Sequence, residues 1–196
     1  DKAYNLEQLG ITQQQIDKIE NISEMSSGLI LVIGSTGSGK TTTMHAILQH
    51  IAKGNRKILT IEDPVEYRLE GASQIQVNES IELGFANILK RILRHDPEVI
   101  MIGEIRDSKT AGIALQAALT GHLVISSLHA NCSRSAEARI CSLGVNKLQL
   151  SYALKATIYQ KLVNHDSTRA AKMEITIYPD LKNLPIRGGH IAQFEN

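Results

Sequence analysis

A short apolar run, Leu29–Ile33, leads directly into a loop whose sequence, GSTGSGKT over Gly34–Thr41, fits the pattern G-x-x-x-x-G-K-[ST]. In this pattern a strand delivers the chain to the carboxyl edge of a parallel sheet, and glycines let backbone N–H groups converge on phosphate oxygens. The helix that follows directs the partial positive charge of its first turn at the same anion. The sequence therefore predicts a strand, a phosphate loop (Gly34–Thr41) and a helix, in this order.

The phosphate loop also predicts which residues would contact a nucleotide. Lys40 should reach the β- and γ-phosphates of ATP, and the hydroxyl of Thr41 should bind Mg²⁺. The predicted ATP-binding residues are Gly34, Ser35, Thr36, Gly37, Ser38, Gly39, Lys40, Thr41 and Thr42. The alternative is a glycine-rich turn without function, and average residue frequencies produce such a match in about 1% of chains of this length.

Beyond this loop, short β-branched runs alternate with longer helical patterns. Continuous apolar strands separated by helices are typical of a parallel sheet that is covered on both faces. The predicted fold is therefore α/β, with a mainly parallel sheet flanked by helices. The predicted strands are Leu29–Ile33, Lys57–Ile61, Glu98–Ile102, His122–Ser126 and Met173–Tyr178, and the predicted helices are Thr41–Ala52, Ile81–Leu93, Ser108–Leu119, Ser133–Leu143 and Lys147–Leu162.

The chain divides into three predicted segments. Residues 1–27 form a helical leading segment, in which Thr12 and Gln15 have the spacing of a capping box, so a helix should begin near Gln13. Residues 28–162 form the ATPase core. Residues 163–196 are an extension in which the sequence predicts only the strand Met173–Tyr178, and the tail Pro185–Asn196 shows no clear pattern. The apolar residues of the first helix that should face the core are Ile16, Ile19 and Ile22.

Composition excludes several classes of protein. Hydrophobic residues make up 42% and charged residues 21% of the 196-residue chain, as in an ordinary globular domain. A net charge of +1 and an aromatic content of 4% argue against a nucleic-acid partner. Two cysteines without metal-ligand spacing favour a reduced, cytosolic compartment. The apolar runs are too short to span a bilayer, and no signal peptide is predicted, so membrane association is expected only through partners.

Acidic side chains follow two of the predicted strands. Glu104 comes after the run 98–103, and Glu62 with Asp63 follows the strand that ends at Ile61. Carboxylates at this edge of a sheet can orient or deprotonate a water molecule, or hold Mg²⁺ through water. The alternatives are a solvated carboxylate for Glu104, and a turn closed by a side-chain-to-backbone hydrogen bond for the other pair.

Cationic side chains surround the same region. His129 follows the apolar run Leu123–Leu128 and is able to sense a γ-phosphate, because imidazole donates hydrogen bonds and carries charge near neutral pH. Arg94 and Arg106 offer guanidinium groups that stabilise γ-phosphate charge from the same subunit or from a neighbour. A structural histidine and ordinary surface ion pairs are the alternatives.

Taken together, these segments resemble the ATPases of type II secretion and type IV pilus assembly. The matching motifs, in the family's order, are the phosphate loop, the aspartate box Ile58–Glu66, the stretch Leu93–Asp107 and the histidine box Thr120–Asn131. The resemblance implies a RecA-like domain that works as a homohexamer, with ATP at the subunit interfaces. It also implies a cytoplasmic protein, peripheral to the inner membrane, that is attached there through pilus or secretion platform proteins.

The resemblance also implies roles for individual residues. Glu104 corresponds to the family's catalytic glutamate, Glu62 to the aspartate-box acid and His129 to the histidine-box contact. Arg94 and Arg106 correspond to its active-site arginines. The metal would be bound by Thr41, with the two glutamates acting through water.

Two departures from the family pattern stand out. Many members carry a four-cysteine zinc motif after the segment that matches Lys147–Leu162, whereas this chain has no cysteine beyond Cys141. We therefore predict no zinc, and expect either a divergent pilus system, such as a type IVb pilus, or a missing segment that would carry the motif. Lys90 stands where the family often has arginine, which weakens one expected phosphate contact.

The function implied by the resemblance is an ATP-hydrolysing motor that drives pilin assembly or protein secretion. The sequence of Gly103–Asp107 favours the assembly and secretion branch over the retraction branch. The alternatives are a pilus retraction or conjugation-system ATPase, a nucleic-acid motor on the same fold, and a scaffold protein that binds nucleotide without turnover.

Overall fold

The structure is a computed structural model that describes residues 4–165 and 168–179. Its strands are β1 (Gly28–Ile33), β2 (Ile58–Glu62), β3 (Ala72–Gln76), β4 (Val99–Ile102), β5 (Leu123–Leu128), β6 (Leu154–His165) and β7 (Thr168–Ile177). They form one sheet in the order β3-β2-β4-β5-β1-β6-β7. Only the pairing of β6 with β7 is antiparallel among the described strands, which confirms the predicted mainly parallel sheet.

Helices cover both faces of the sheet. They are α1 (Gln13–Ser23), α2 (Lys40–Ala52), α3 (Phe85–Ile92), α4 (Ser108–Leu119), α5 (Ser133–Ser142) and α6 (Lys147–Ala153). Alternate residues of β1 point to opposite faces, so Ile30 and Val32 pack with α1 and α2, whereas Leu29, Leu31 and Ile33 pack with α3–α6. All six residues of β1 are buried. Burial on both faces explains why this strand is an uninterrupted apolar run.

The first helix has the predicted capping box. The Thr12 side chain accepts a hydrogen bond from the backbone of Gln15, the Gln15 side chain accepts one from the backbone of Thr12, and the helix begins at Gln13. Ile16, Ile19 and Ile22 are buried, as predicted. A single turn of 3-10 helix, Glu7–Leu9, precedes this helix.

The helix predicted over Lys147–Leu162 is wrong beyond Ala153, where the chain continues as β6. This strand pairs with β1 on one side and with β7 on the other, so both neighbours satisfy its backbone hydrogen bonds. The register shifts by one residue near Leu29, and Ala156 and Ile158 are buried beyond the shift. Long-range pairing therefore overrides the local helical pattern.

Two other predicted elements differ from the observed ones. The helix predicted from Ile81 begins only at Phe85, because Glu82 has a positive φ of 58° and interrupts the chain. The strand β3 was not predicted, since its sequence ASQIQ is largely polar and it lies at the edge of the sheet. The strand predicted from Met173 is the second half of β7.

The sheet continues beyond the predicted core. The predicted boundary at residue 162 lies inside β6, and the division into three segments stays a prediction. Within 163–196, the patternless tail Pro185–Asn196 lies outside the described residues. No helix in the described part of the chain is long and apolar enough to cross a membrane.

Candidate functional site

The carboxyl ends of the parallel strands meet at one edge of the sheet, and a cleft of about 390 Å³ opens there. The phosphate loop follows β1, Glu62 ends β2, and Glu104 and His129 follow β4 and β5. The predicted site residues that line this cleft are Thr36, Gly37, Gly39, Lys40, Thr41, Thr42, Glu62, Glu104 and His129. Of the other predicted loop residues, Gly34 and Ser35 accept hydrogen bonds from Lys40 through their backbone carbonyls, and Ser38 is buried.

A larger and more open groove of about 1210 Å³ lies elsewhere, against the leading segment and the end of α2. Tyr4, Gln49, Lys53 and Tyr67 contribute to its walls. None of the predicted site residues lines it in the described structure. The smaller cleft is therefore the candidate site, because the ends of the strands direct their polar groups into it.

The glycines of the phosphate loop are required by close contacts. A Cβ atom at Gly34 would lie 2.4 Å from the carbonyl oxygen of Gln160, and one at Gly39 would lie 2.8 Å from the side-chain nitrogen of the same residue. Gly39 also has a φ of 84°, which side chains disfavour. The loop therefore lies directly against β6, and larger residues at these two positions would push it away.

Lys40 is buried at the base of the cleft and is held by the loop itself. Its ammonium group donates hydrogen bonds to the carbonyl oxygens of Gly34 (3.1 Å) and Ser35 (2.8 Å). Burial lowers the pKa of Lys40, and the nearby Glu104 carboxylate partly offsets this effect. An ammonium group has three N–H bonds, so one remains for a phosphate oxygen.

The structure brings Glu104, Arg106 and His129 together. One carboxylate oxygen of Glu104 accepts a hydrogen bond from Arg106, and the other lies 3.8 Å from Nε2 of His129. Arg106 also lies 3.8 Å from a carboxylate oxygen of Asp63. The hydrogen bond to Glu104 raises the pKa of Arg106. Glu104 is thus fixed by a cation on one side while it faces the cleft.

Glu62 lies at the inner wall of the cleft, in a buried polar network. One of its oxygens lies 2.9 Å from Nε2 of His45, and the other accepts hydrogen bonds from Thr60 (2.6 Å) and Gln74 (3.0 Å). Burial alone would raise the pKa of Glu62, but these hydrogen bonds outweigh it and the pKa is lowered. Both oxygens are therefore engaged by the protein, and a role for Glu62 toward Mg²⁺ stays a prediction.

Arg94 does not reach the cleft of its own chain. It lies in the 3-10 turn Leu93–His95, which leads into the amino end of β4, whereas the cleft is at the carboxyl end. Lys57, which precedes β2, donates a hydrogen bond to the carbonyl of His95 and fixes this turn at the far edge. The role predicted for Arg94 therefore stays a prediction that requires a neighbouring subunit.

Sequence reasoning missed three polar residues around the phosphate loop. Gln160 on β6 contacts Ser38 and Thr43, and His45 on α2 contacts Glu62. Gln160 lies in the stretch whose pattern predicts a helix, and nothing near it in the sequence indicates a contact with the phosphate loop. Glu66, the last residue of the aspartate box, also lines the cleft without a predicted role.

Among residues 4–165 and 168–179, no three histidine, cysteine or acidic side chains are grouped so as to hold a metal ion. Mg²⁺ does not require such a group, because it keeps several waters and is usually bound by one or two protein ligands together with phosphates. Thr41 and Glu104 line the same cleft and suit this mode. The predicted absence of zinc stays a prediction.

Comparison with known proteins decides the family. A family of proteins described as "Type II/IV secretion system protein" matches residues 1–187. The chain belongs to this family. It is 50% identical to the putative type II secretion system protein E of Escherichia coli (strain K12) over 159 residues. These residues make up 81% of this chain and 32% of that protein. The type II secretion system protein E of Aeromonas hydrophila is 49% identical over 158 residues, with the same two shares.

Two solved structures share the fold of this type II/IV secretion system protein. The Legionella pneumophila ATPase DotB superposes with a TM-score of 0.80 at 29% identity, over 91% of this chain and 52% of that one. The pilus retraction motor PilT with bound ADP gives a TM-score of 0.77 at 34% identity, over 91% and 54%. The predicted RecA-like fold and the family resemblance are confirmed. The chain spans about a third of the length of its curated relatives.

Proposed function

We propose that this chain is the ATP-hydrolysing motor domain of a bacterial secretion or pilus-assembly system. The observation that carries the proposal is the convergence of the phosphate loop and Glu104 on one cleft. A loop that binds phosphates and an acid across from it are the minimum that hydrolysis of a phosphoanhydride needs. Membership of a family of secretion system proteins supplies the transport role.

The residues of the cleft suit Mg-ATP. Two glycines bring the loop backbone against β6, Lys40 retains an N–H bond for the phosphates, and the Thr41 hydroxyl lies in the first turn of α2. Thr41 would hold Mg²⁺, with Glu62 and Glu104 acting through water. When bound, the metal neutralises charge that develops on the phosphate oxygens.

In the proposed reaction, Glu104 orients a water molecule and takes up its proton as the water attacks the γ-phosphorus. The bond between that phosphorus and the oxygen bridging to the β-phosphate breaks, and ADP and phosphate are formed. Arg106 keeps the Glu104 carboxylate in place, and His129 lies beside the other oxygen of Glu104. From there it would donate a hydrogen bond to a phosphate oxygen.

The site is proposed to be completed by a neighbouring subunit. Arg94 lies at the far edge of the sheet, so it would act on the ATP held by the next copy in a homohexamer. Glu62 would support the site by holding α2 and β3 in place. The proposal also includes a cytoplasmic location, attachment to inner-membrane platform proteins, and service to a type IVb pilus. These three parts rest on the family resemblance.

Nucleotide binding by the Lys40→Ala variant tests the proposal. Removal of the ammonium leaves phosphate charge uncompensated and should weaken ATP binding by roughly 100-fold. Titration with a fluorescent ATP analogue in the presence of Mg²⁺ measures the affinity. Lys53→Ala, at the exposed residue directly after the same helix, is the matched control and should bind as the wild type does. Equal affinities of Lys40→Ala and wild type would refute the phosphate-loop assignment.

A pilus retraction motor is the second candidate. The observation that favours it is 34% identity to the structure of the retraction motor PilT. A strain that lacks the protein separates the two: loss of assembled pili or secreted protein supports the first proposal, and an excess of surface pili supports retraction. A nucleic-acid motor would instead show DNA-stimulated turnover and salt-dependent binding.

A further inference from the structure

Gln160 contacts the phosphate loop from behind, although it lies 122 residues away from Ser38 in the sequence. Its side chain is buried on β6, the strand that pairs with β1. The amide nitrogen donates a hydrogen bond to the carbonyl oxygen of Ser38 at 2.5 Å. The amide oxygen accepts one from the hydroxyl of Thr43 on α2 at 2.7 Å. One side chain thus joins the loop to the helix that follows it.

The contact with Ser38 determines which way a loop N–H group points. A trans peptide is planar, and its C=O and N–H bonds point in opposite directions. Because the carbonyl of Ser38 is directed at Gln160, the N–H of Gly39 is directed away from Gln160. Gly39 lines the cleft, so its N–H group is available to a ligand there.

On the Gly39 side, the backbone does not resist a turn of this peptide. Gly39 has a φ of 84°, and glycine adopts positive and negative φ values with similar ease. A turned peptide would direct the Ser38 carbonyl into the cleft, where its negative end repels phosphate. The hydrogen bond from Gln160 favours the orientation in which the donor faces the anion.

The orientation of the Gln160 amide is itself determined by its surroundings. The carbonyl of Ser38 is only an acceptor, so the NH₂ end must face it, whereas the hydroxyl of Thr43 can donate to the other end. With the amide reversed, two oxygens would lie about hydrogen-bond distance apart in a buried place. This arrangement is unfavourable.

We propose that Gln160 is a positioning residue that holds the Ser38–Gly39 peptide with its N–H toward the phosphates. The inference rests on the proposed function, because it assumes that the loop binds a nucleotide. Gln160 acts through the loop and does not contact the substrate. Its role is to raise the affinity for any nucleotide with a β-phosphate, without a part in the chemical step.

The Gln160→Met variant tests this role, since methionine has a similar length and shape but neither donates nor accepts as an amide does. We expect the dissociation constants of both Mg-ATP and ADP to rise by the same factor, roughly 10-fold, because the hydrogen bond that holds the Ser38 carbonyl is lost. The maximal turnover at saturating ATP should stay within about threefold, because the catalytic groups are untouched.

Thr157→Val is the matched control. Thr157 lies on the same strand, is fully buried and donates a hydrogen bond to Ser133 on α5, away from the loop. This variant loses one partly buried hydrogen bond, whereas Gln160→Met loses two buried ones, so its thermal midpoint should fall by less than that of Gln160→Met. Its nucleotide affinity should remain that of the wild type. Circular dichroism verifies that both variants are folded.

The outcomes separate the inference from the proposed function. Wild-type affinity in a folded Gln160→Met variant, or an equal loss of affinity in Thr157→Val, would overturn the positioning role and leave the ATPase proposal intact. A wild-type chain that binds no nucleotide would overturn both. If Gln160→Met does not fold, the Thr43→Val variant replaces it, because it removes the hydrogen bond from Thr43 to the Gln160 amide oxygen. A loss of nucleotide affinity of roughly two- to fivefold supports the positioning role, and an unchanged affinity overturns it.

Discussion

Replacement of Glu62 by alanine should destabilise the protein strongly, because its carboxylate satisfies donors from three elements. His45 on α2, Thr60 on β2 and Gln74 on β3 all direct hydrogen bonds at it, and Glu62 is only 2% exposed. Alanine leaves these buried groups without their acceptor. Breaking a buried network of this kind costs about 3–5 kcal/mol in the free energy of unfolding.

The isosteric Glu62→Gln variant is the control for this prediction. Its amide oxygen still accepts from Thr60 and Gln74, and its NH₂ group can donate to His45 if the imidazole changes tautomer. The variant loses only the charge, so we expect a smaller loss of about 1–2 kcal/mol. Urea denaturation followed by circular dichroism measures both losses near pH 7.

The pH dependence provides a second test of the same network. The folded-state pKa of Glu62 is lowered from its ordinary value of 4.5. The stability that the ionised carboxylate contributes is therefore complete above pH 4.5, and it is lost as the pH falls through the lowered folded-state pKa. The difference in the free energy of unfolding between wild type and Glu62→Gln should therefore become smaller as the pH falls through this range. A loss below about 1 kcal/mol for Glu62→Ala, or a difference that does not change with pH, would refute this reasoning.

Three further predictions concern turnover. Glu104→Gln should bind ATP normally but hydrolyse it roughly 100-fold more slowly, because a positioned base is lost. Single-turnover assays measure this rate, and near-normal turnover would assign the role of the base to another acid. The specific activity of the wild-type chain should rise steeply with protein concentration, whereas full activity in a monomer, verified by light scattering, would mean that the site is complete within one chain. Arg94→Ala and Glu104→Gln chains are each expected to be inactive alone, and an equal mixture of the two tests where Arg94 acts. If Arg94 acts on a neighbouring chain, about a quarter of the interfaces in the mixture combine an intact Glu104 with an intact Arg94 and should hydrolyse ATP. If Arg94 acts within its own chain, the mixture should stay inactive.

The parts of the fold that could be predicted from the sequence are those with local signals. The capping box at Thr12 gives the start of α1, and the apolar run before Gly34 gives β1 and the loop that follows. Helix α4 begins at Ser108 and ends at Leu119, as the helical spacing of its apolar residues predicts. Each of these features is determined by residues within one or two turns of each other.

The parts that could not be predicted depend on distant partners. β6 follows a helical pattern in the sequence, yet it becomes a strand because β1 and β7 offer hydrogen bonds on both sides. The same error concealed Gln160, whose partner Ser38 lies 122 residues away along the chain. Arg94 was grouped with the site by its motif, but its position before β4 places it at the opposite edge. A motif identifies residues that serve a site without showing which copy of the chain they serve.

The position of β1 between β5 and β6 has a consequence for how the protein matures. Both partners follow β1 by more than ninety residues, since Gly28 pairs with Leu123 and Ile30 with Ala156. During synthesis the phosphate loop therefore emerges before the strands that flank β1, and it acquires its shape only after both of them have left the ribosome. Under the proposed function, only a chain that has completed folding would bind nucleotide, and each bound molecule would stabilise the native state by mass action.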